Sequence, residues 1–225
     1  MRTLVLLTFN EVAGVRALVT RLLDVGADEI VAVDRNSTDG TREIFIASRI
    51  RIVEQERPGR GEAFRAAVRA TRGDHLVFFS PDGNEDPRDI PRLFAALESG
   101  ADLAIASRFL PGSRNEEDDH LLKFRKWANQ AFTFAANALW NHGAYVTDTI
   151  NGFRAVTRDA FGRLFPQSAG YTVEYEMTIR AMKQHMQIVE VATVEGNRIG
   201  GVSKGPSLRI GPAFVRLLFQ EIFSR

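Results

Sequence analysis

At 225 residues, with a net charge of +1, 44% apolar and 25% charged residues, the chain has the make-up of one globular domain large enough to bury a full core. It has no cysteine, which excludes disulfides and thiolate metal sites and fits a reducing compartment. The first residues enter a strand pattern, so no signal peptide is expected, and no run approaches the roughly 20 apolar residues that cross a bilayer.

Thr3 to Thr8 is a short apolar run stopped by Phe9-Asn-Glu11, and Val15, Leu18, Val19, Leu22 and Leu23 then recur at helical spacing. Glu29 to Asp34 reads as a second strand, Asn36-Ser-Thr-Asp-Gly40 as a turn before a second helix, and Arg51 to Glu54 as a short third strand. Pro58-Gly-Arg-Gly61 opens a helix that runs through Ala63 to Thr71. Leu76 to Phe79 and Leu103 to Ala106 are further strands. This alternation predicts an α/β fold with a mostly parallel sheet covered by helices on both faces.

The second half is less regular. Leu121 to Trp140 carries Phe124, Trp127, Ala128, Ala131, Phe134, Ala135 and Leu139 at helical spacing. Asp148 to Arg154 reads as a polar loop running into a strand at Phe153 to Val156, Tyr171 to Met186 as a helix, and Ile188 to Val194 as a strand. Leu208 to Phe223 is amphipathic, its apolar residues interleaved with Arg209 and Arg216. Such a helix suits a membrane interface, where anionic headgroups contribute about 1 kcal/mol per basic residue, and suits packing against its own domain equally.

The densest chemistry lies in His75-Leu-Val-Phe-Phe-Ser-Pro-Asp-Gly-Asn-Glu-Asp-Pro87. An apolar strand there delivers Asp82 and Asn84 to its carboxyl edge, where open α/β sheets bind ligands. Two residues apart, the two side chains share one side in extended geometry, and their oxygens suit a hard divalent cation holding a diphosphate. An Asx-capped turn explains the same residues. Asp34, at the end of the second strand, stands where many nucleotide-binding folds hold a ribose, and it fits a turn and helix cap as well. Gly59-Arg-Gly61 lets backbone approach a ligand at a helix start, but it is not a GxxxxGK[ST] phosphate loop.

Thr8-Phe-Asn-Glu11, Val33-Asp-Arg-Asn-Ser-Thr-Asp-Gly-Thr41, Gly59-Arg-Gly-Glu-Ala63, Ser80-Pro-Asp-Gly-Asn84, Ser107-Arg108, Asn151-Gly-Phe-Arg154 and Gly170 through Glu176 occur in one order. That series resembles family 2 glycosyltransferases of the GT-A fold, in particular polyprenyl (dolichyl) phosphate mannose and glucose synthases. The resemblance covers roughly residues 3–204. It implies a catalytic domain over residues 1–205 followed by an amphipathic, membrane-associated helix over 206–225, in a protein peripheral to the inner face of the cell membrane. It further implies an inverting transfer of a hexose from a nucleotide diphosphate sugar to a polyprenyl phosphate, with Mg²⁺ or Mn²⁺, and no nucleic-acid partner.

Residue by residue, the resemblance implies nucleotide contacts at Thr8, Asn10, Glu11, Asp34, Asn36, Gly61 and Asp82, and metal ligands at Asp82 and Asn84. It implies acceptor-phosphate contacts at Arg108, Arg125, Asn129, Arg154, Arg198, Ser203 and Lys204, with Asp82, Arg108 and Arg125 central to catalysis. One departure is that Ser80 stands where the family's DxD motif has its first aspartate, which removes a negative charge beside the metal. A non-catalytic binding protein is thereby an alternative. Another is transfer to a sugar hydroxyl, which needs a general base, with Asp148 and Glu176 the candidates; a lipid phosphate is already anionic and needs none.

Overall fold

The computed structural model describes residues 1–115, 124–199 and 207–224, leaving out the side chains of residues 124–125 and 207–210. In chain order the elements are β1 (Arg2–Thr8), α1 (Val12–Leu23), β2 (Glu29–Asp34), α2 (Thr41–Ala47), β3 (Arg51–Glu54), α3 (Arg60–Ala70), β4 (His75–Phe79), α4 (Ile90–Glu98) and β5 (Leu103–Ser107). Then follow α5 (Phe124–Trp140), β6 (Arg154–Thr157), α6 (Arg158–Leu164), α7 (Val173–Lys183), β7 (Ile188–Ala192) and α8 (Ser207–Phe223), and a 3-10 turn at Pro87–Asp89 leads into α4. The predicted strands and helices are present, with α7 and β7 shorter than expected. α6 was missed, although Thr157 caps it by accepting from the Ala160 N–H.

The strands form one sheet in the order β3-β2-β1-β4-β6-β5-β7. All pairings are parallel except those of β6, which runs antiparallel between β4 and β5. Successive strand residues point to opposite faces, so runs such as Leu4 to Leu7 are buried on both sides. Val5, Leu7, Val33 and Phe78 pack under α3, α5 and α7 together with Phe64 and Tyr175. Leu4, Leu6, Ala32 and Phe79 pack under α1 and α4 together with Val15, Leu18 and Phe94. Phe64 of α3 stacks on Phe78 of β4, ring centroids 3.9 Å apart, which fixes the helix start over the strand end.

From β1 the chain moves outward to β2 and β3 and then crosses back to β4 on the other side of β1, so the topological switch point lies between β1 and β4. Loops on either side of such a point diverge and leave a crevice at the carboxyl edge. The loops that border it are 9–11 and 80–86, which carry Asn10, Glu11, Asp82 and Asn84 of the residues singled out in the sequence. α8 is docked rather than detached: Phe214 and Leu217 belong to the core, and Phe214 packs on Phe132 of α5 and Tyr175 of α7. No helix among the described residues is long and apolar enough to cross a membrane.

Candidate active site

Asp34 ends β2 with its side chain wholly buried. Its carboxylate accepts from the Ser37 N–H (2.8 Å) and Oγ (2.5 Å) and from Arg42 Nη1 (3.1 Å), and Thr8 Oγ1 lies 3.2 Å away. Ser37 in turn receives the Asn10 N–H, and Asn10 Oδ1 accepts from the Thr38 N–H, so the loops after β1 and β2 are clasped together. Asn10 and Asn36 both adopt the left-handed region (φ 51° and 58°), which Asn tolerates better than most residues. Asp39 caps both neighbouring helices, accepting from the Val12 and Thr41 N–H groups at 3.0 Å each. The structure therefore gives Asp34 a fully engaged carboxylate that shapes the crevice wall, and no exposed oxygen for a ribose.

Beyond β4 the chain turns tightly, the Asp82 N–H donating to the Ser80 carbonyl. Asp82 Oδ1 accepts from the Asn84 N–H (3.1 Å), while Oδ2 accepts from Arg198 Nη1 (2.9 Å). The other arm of the Arg198 guanidinium meets Glu11, so one side chain ties the β1 and β4 loops across the crevice. Its Nε is buried with no hydrogen-bond partner among the described residues. The segment carrying Arg198 lies along the turn: Ile199 N donates to the Asp82 carbonyl (2.7 Å) and Gly196 N to the Asn84 carbonyl (2.8 Å). Gly83 is required twice over, by its φ of 99° and because a Cβ there would lie 2.8 Å from the Ile199 nitrogen.

Glu85 is the carboxylate that sequence reasoning missed. It folds back so that Oε2 accepts from the Ser80 N–H at 2.6 Å. Burial and the neighbouring Asp82 charge push its carboxyl well above the usual range. Arg60, the first residue of α3, was also overlooked. Its guanidinium pairs with Glu174 and reaches Ser80 Oγ at 3.3 Å; burial works against its charge, and the Glu174 and Glu85 carboxylates outweigh that.

Two expectations give way. Gly61 does not face a nucleotide: its N–H donates to the Ala169 carbonyl (2.8 Å), and a Cβ would sit 1.8 Å from the Ser168 carbonyl oxygen. The glycine serves close packing of the 168–170 segment over the start of α3. Arg154 does not face a phosphate: it is 0% exposed and donates to the carbonyls of Thr149, Asn151 and Glu174 and to Thr178 Oγ1. Burial pulls its pKa down to about 10, so it stays charged near neutrality and pins β6 to α7.

Arg108 is buried in a bidentate pair with Asp148 (Nε to Oδ2 2.7 Å, Nη2 to Oδ1 3.0 Å), and its Nη1 lies 3.6 Å from Glu195. A phosphate reaching Arg108 would share it with Asp148. Neither base candidate is at liberty: Asp148 is held by Arg108, and Glu176 accepts from the Gln167 and Ser168 N–H groups and pairs with Arg180. Asn129 is half-buried on α5. The Arg125 side chain, Ser203 and Lys204 lie outside the described residues.

Among the described residues no three His, Cys, Asp or Glu side chains are grouped to hold a metal ion. Asp82 and Asn84 nevertheless suit a divalent cation that brings phosphate oxygens with it, because Mg²⁺ typically takes one or two protein carboxylates and fills its shell from phosphates and water. Asp82 now faces the Arg198 guanidinium, so a cation bound there would take over that contact, and the buried Arg198 Nε–H is a donor suited to a phosphate oxygen that the cation brings.

Residues 3–165 match the family model described as Glycosyl transferase family 2. The chain belongs to that family. The glycosyltransferase is 30% identical over 231 residues to an undecaprenyl-phosphate mannosyltransferase of Micrococcus luteus, covering 96% of this chain and 93% of the relative. It is 28% identical over 193 residues to Glycosyltransferase AglJ of Haloferax volcanii, of which it spans 60% of the length. Among solved structures it superposes with TM-score 0.73 and 26% identity on glucosyl-3-phosphoglycerate synthase from Mycobacterium tuberculosis in complex with Mn²⁺, UDP and phosphoglyceric acid, covering 98% of this chain and 76% of that one. This family 2 glycosyltransferase thus has the GT-A architecture expected from its sequence, with homologues named for polyprenyl-phosphate sugar transfer.

Proposed function

We propose that the chain transfers a hexose, with inversion, from a nucleotide diphosphate sugar to a polyprenyl phosphate. The observation that carries this reading is that both carboxylates suited by sequence to act as a base, Asp148 and Glu176, are committed to buried structural contacts. A hydroxyl acceptor needs a proton removed, whereas a phosphate monoester oxygen attacks as an anion. The acceptor oxygen forms a bond to the anomeric carbon from one face as the bond to the diphosphate breaks on the other, and the nucleoside diphosphate leaves. A divalent cation on Asp82 and Asn84 would neutralise the charge developing on that leaving group. Asp34 orders the Asn10 and Ser37–Thr38 loops against the base and ribose, Arg60 faces the diphosphate, and Arg108, Arg125, Asn129, Ser203 and Lys204 receive the acceptor phosphate.

With Mg²⁺ or Mn²⁺, the purified protein should release UDP or GDP from one of a panel of nucleotide sugars only when a short polyprenyl phosphate is present. Release with phosphoglycerate or a sugar alcohol instead would move the acceptor to a hydroxyl. Binding of donors without turnover for any acceptor would favour a non-catalytic role.

With a lipid acceptor, this reading has the protein work at the inner face of the cell membrane, with residues 206–225 as the interfacial element beside a catalytic domain over 1–205. Exposed Trp127 and Phe134 on α5, and exposed Val215, Phe219 and Phe223 on α8, support this, since the two helices are joined through Phe132 and Phe214. Each large side chain withdrawn from water contributes about 1.5–3 kcal/mol. Phe219→Ser/Phe223→Ser should therefore weaken co-sedimentation with anionic vesicles by about tenfold or more, leaving UDP or GDP release from a short, water-soluble acceptor within about twofold. Unchanged vesicle binding would move the docking surface elsewhere.

A further inference from the structure

We infer that Glu85 supplies the carboxylate that Ser80 lacks, so that the divalent cation of the donor diphosphate is held between acidic positions 82 and 85 instead of 80 and 82. The inference rests on the transferase reading above and adds a residue to its site.

Position 80 directly follows β4 and points its Oγ toward Arg60 Nη1 at 3.3 Å, so a neutral hydroxyl stands where a carboxylate is expected. The turn that follows, closed by the Asp82 N–H on the Ser80 carbonyl, brings residue 85 back to the strand end. There Glu85 Oε2 hydrogen-bonds the Ser80 N–H at 2.6 Å, which sets a carboxylate against the backbone of the very residue whose side chain has lost one. Glu85 has one oxygen left over from that contact. Among the described residues Asp82 has one backbone donor, Asn84 N, and its other oxygen meets a cation, Arg198. Asp82 and Glu85 therefore flank one turn, Glu85 with an oxygen to offer and Asp82 with one that a bound cation would take over from Arg198, and a hard cation carrying phosphate oxygens needs one or two carboxylates from the protein. Charge is conserved in the exchange: one negative charge leaves position 80 and one appears at position 85, which keeps the site's affinity for a divalent cation while freeing Ser80 Oγ to meet Arg60.

Glutamine at 85 separates this role from a purely structural one, because its amide oxygen still accepts from the Ser80 N–H while its charge is gone. Mn²⁺ binding in the presence of UDP or GDP is followed by the loss of the free-ion electron paramagnetic resonance signal, with thermal unfolding recorded in parallel. Glu85→Gln should weaken Mn²⁺ binding at least tenfold with an unchanged unfolding midpoint, and Ser80→Asp/Glu85→Gln should bring it back to within about threefold of the parent. Parental Mn²⁺ affinity in Glu85→Gln overturns the inference, as does a double variant that stays weak; the double variant decides the matter by itself if the single one does not fold. Asp82→Asn tells the two levels apart: if it loses Mn²⁺ and Glu85→Gln does not, only the role of Glu85 falls, whereas unchanged binding in Asp82→Asn, or none in the parent, removes the metal site and this inference with it.

Discussion

Asp82→Ala is expected to lower turnover by about a hundred- to a thousandfold while the protein stays folded. Removal of one preorganised group that faces developing charge costs about that much in other enzymes, and Asp82 is the residue on which the proposed cation, the Arg198 guanidinium and the 196–199 segment all converge. Its side chain lies at the crevice edge with 15% exposure, and Arg198 keeps Glu11 as a partner when Asp82 is lost, so the unfolding midpoint should move by only a few degrees. The measurement is nucleoside diphosphate release under saturating donor, repeated over a Mn²⁺ titration. Turnover within about threefold of the parent at every metal concentration would remove Asp82 from the chemistry. The same variant separates a transferase from a sensor, because a sensor has no turnover to lose.

Arg154→Ala should instead act on stability. Its guanidinium satisfies the carbonyls of Thr149, Asn151 and Glu174 and the Thr178 hydroxyl inside a region closed to water. Each buried acceptor left without a donor costs about 1–3 kcal/mol, and the truncated side chain leaves a cavity besides. Allowing for relaxation and for water entering the space, a loss of about 3–5 kcal/mol is expected. For a chain of this size that lowers the unfolding midpoint by about 6–20 °C, read by circular dichroism. Arg154→Lys should recover little, since a single ammonium cannot span carbonyls on β6, α7 and the loop between. If Arg154 held the acceptor phosphate, the variant would show an unchanged midpoint and a raised requirement for lipid. That outcome would restore the expectation drawn from the sequence.

The fold was legible because it rests on periodicity. Leu4 to Leu7, Val31 to Val33 and Leu76 to Phe79 are apolar on both faces of the pleat, which only a sheet covered on both sides can bury, and the intervening helices show their apolar spacing. The antiparallel course of β6 was not legible, since Arg154 to Thr157 carries no mark of strand direction. Residues at the crevice were legible as types and as an order: Glu11, Asp82 and Asn84 do gather at the switch point. What each side chain touches was not. Arg108, Arg154 and Arg198 look alike in sequence, yet one is locked to Asp148, one is buried among carbonyls, and one spans Glu11 and Asp82.

Sequence alone determined the alternation of strands and helices, the family, and the delivery of Glu11, Asp82 and Asn84 to one edge of the sheet. These depend on local spacing, which is written along the chain. Only the tertiary structure decided that Gly61 makes room for a packed loop, that Arg154 is a structural cation, and that Glu85 returns to Ser80 five residues before it. Those outcomes depend on which groups distant in the chain compete for the same hydrogen bonds and the same buried space. A side chain's chemistry is set by the partner that wins that competition, and no spacing within one segment specifies the partner.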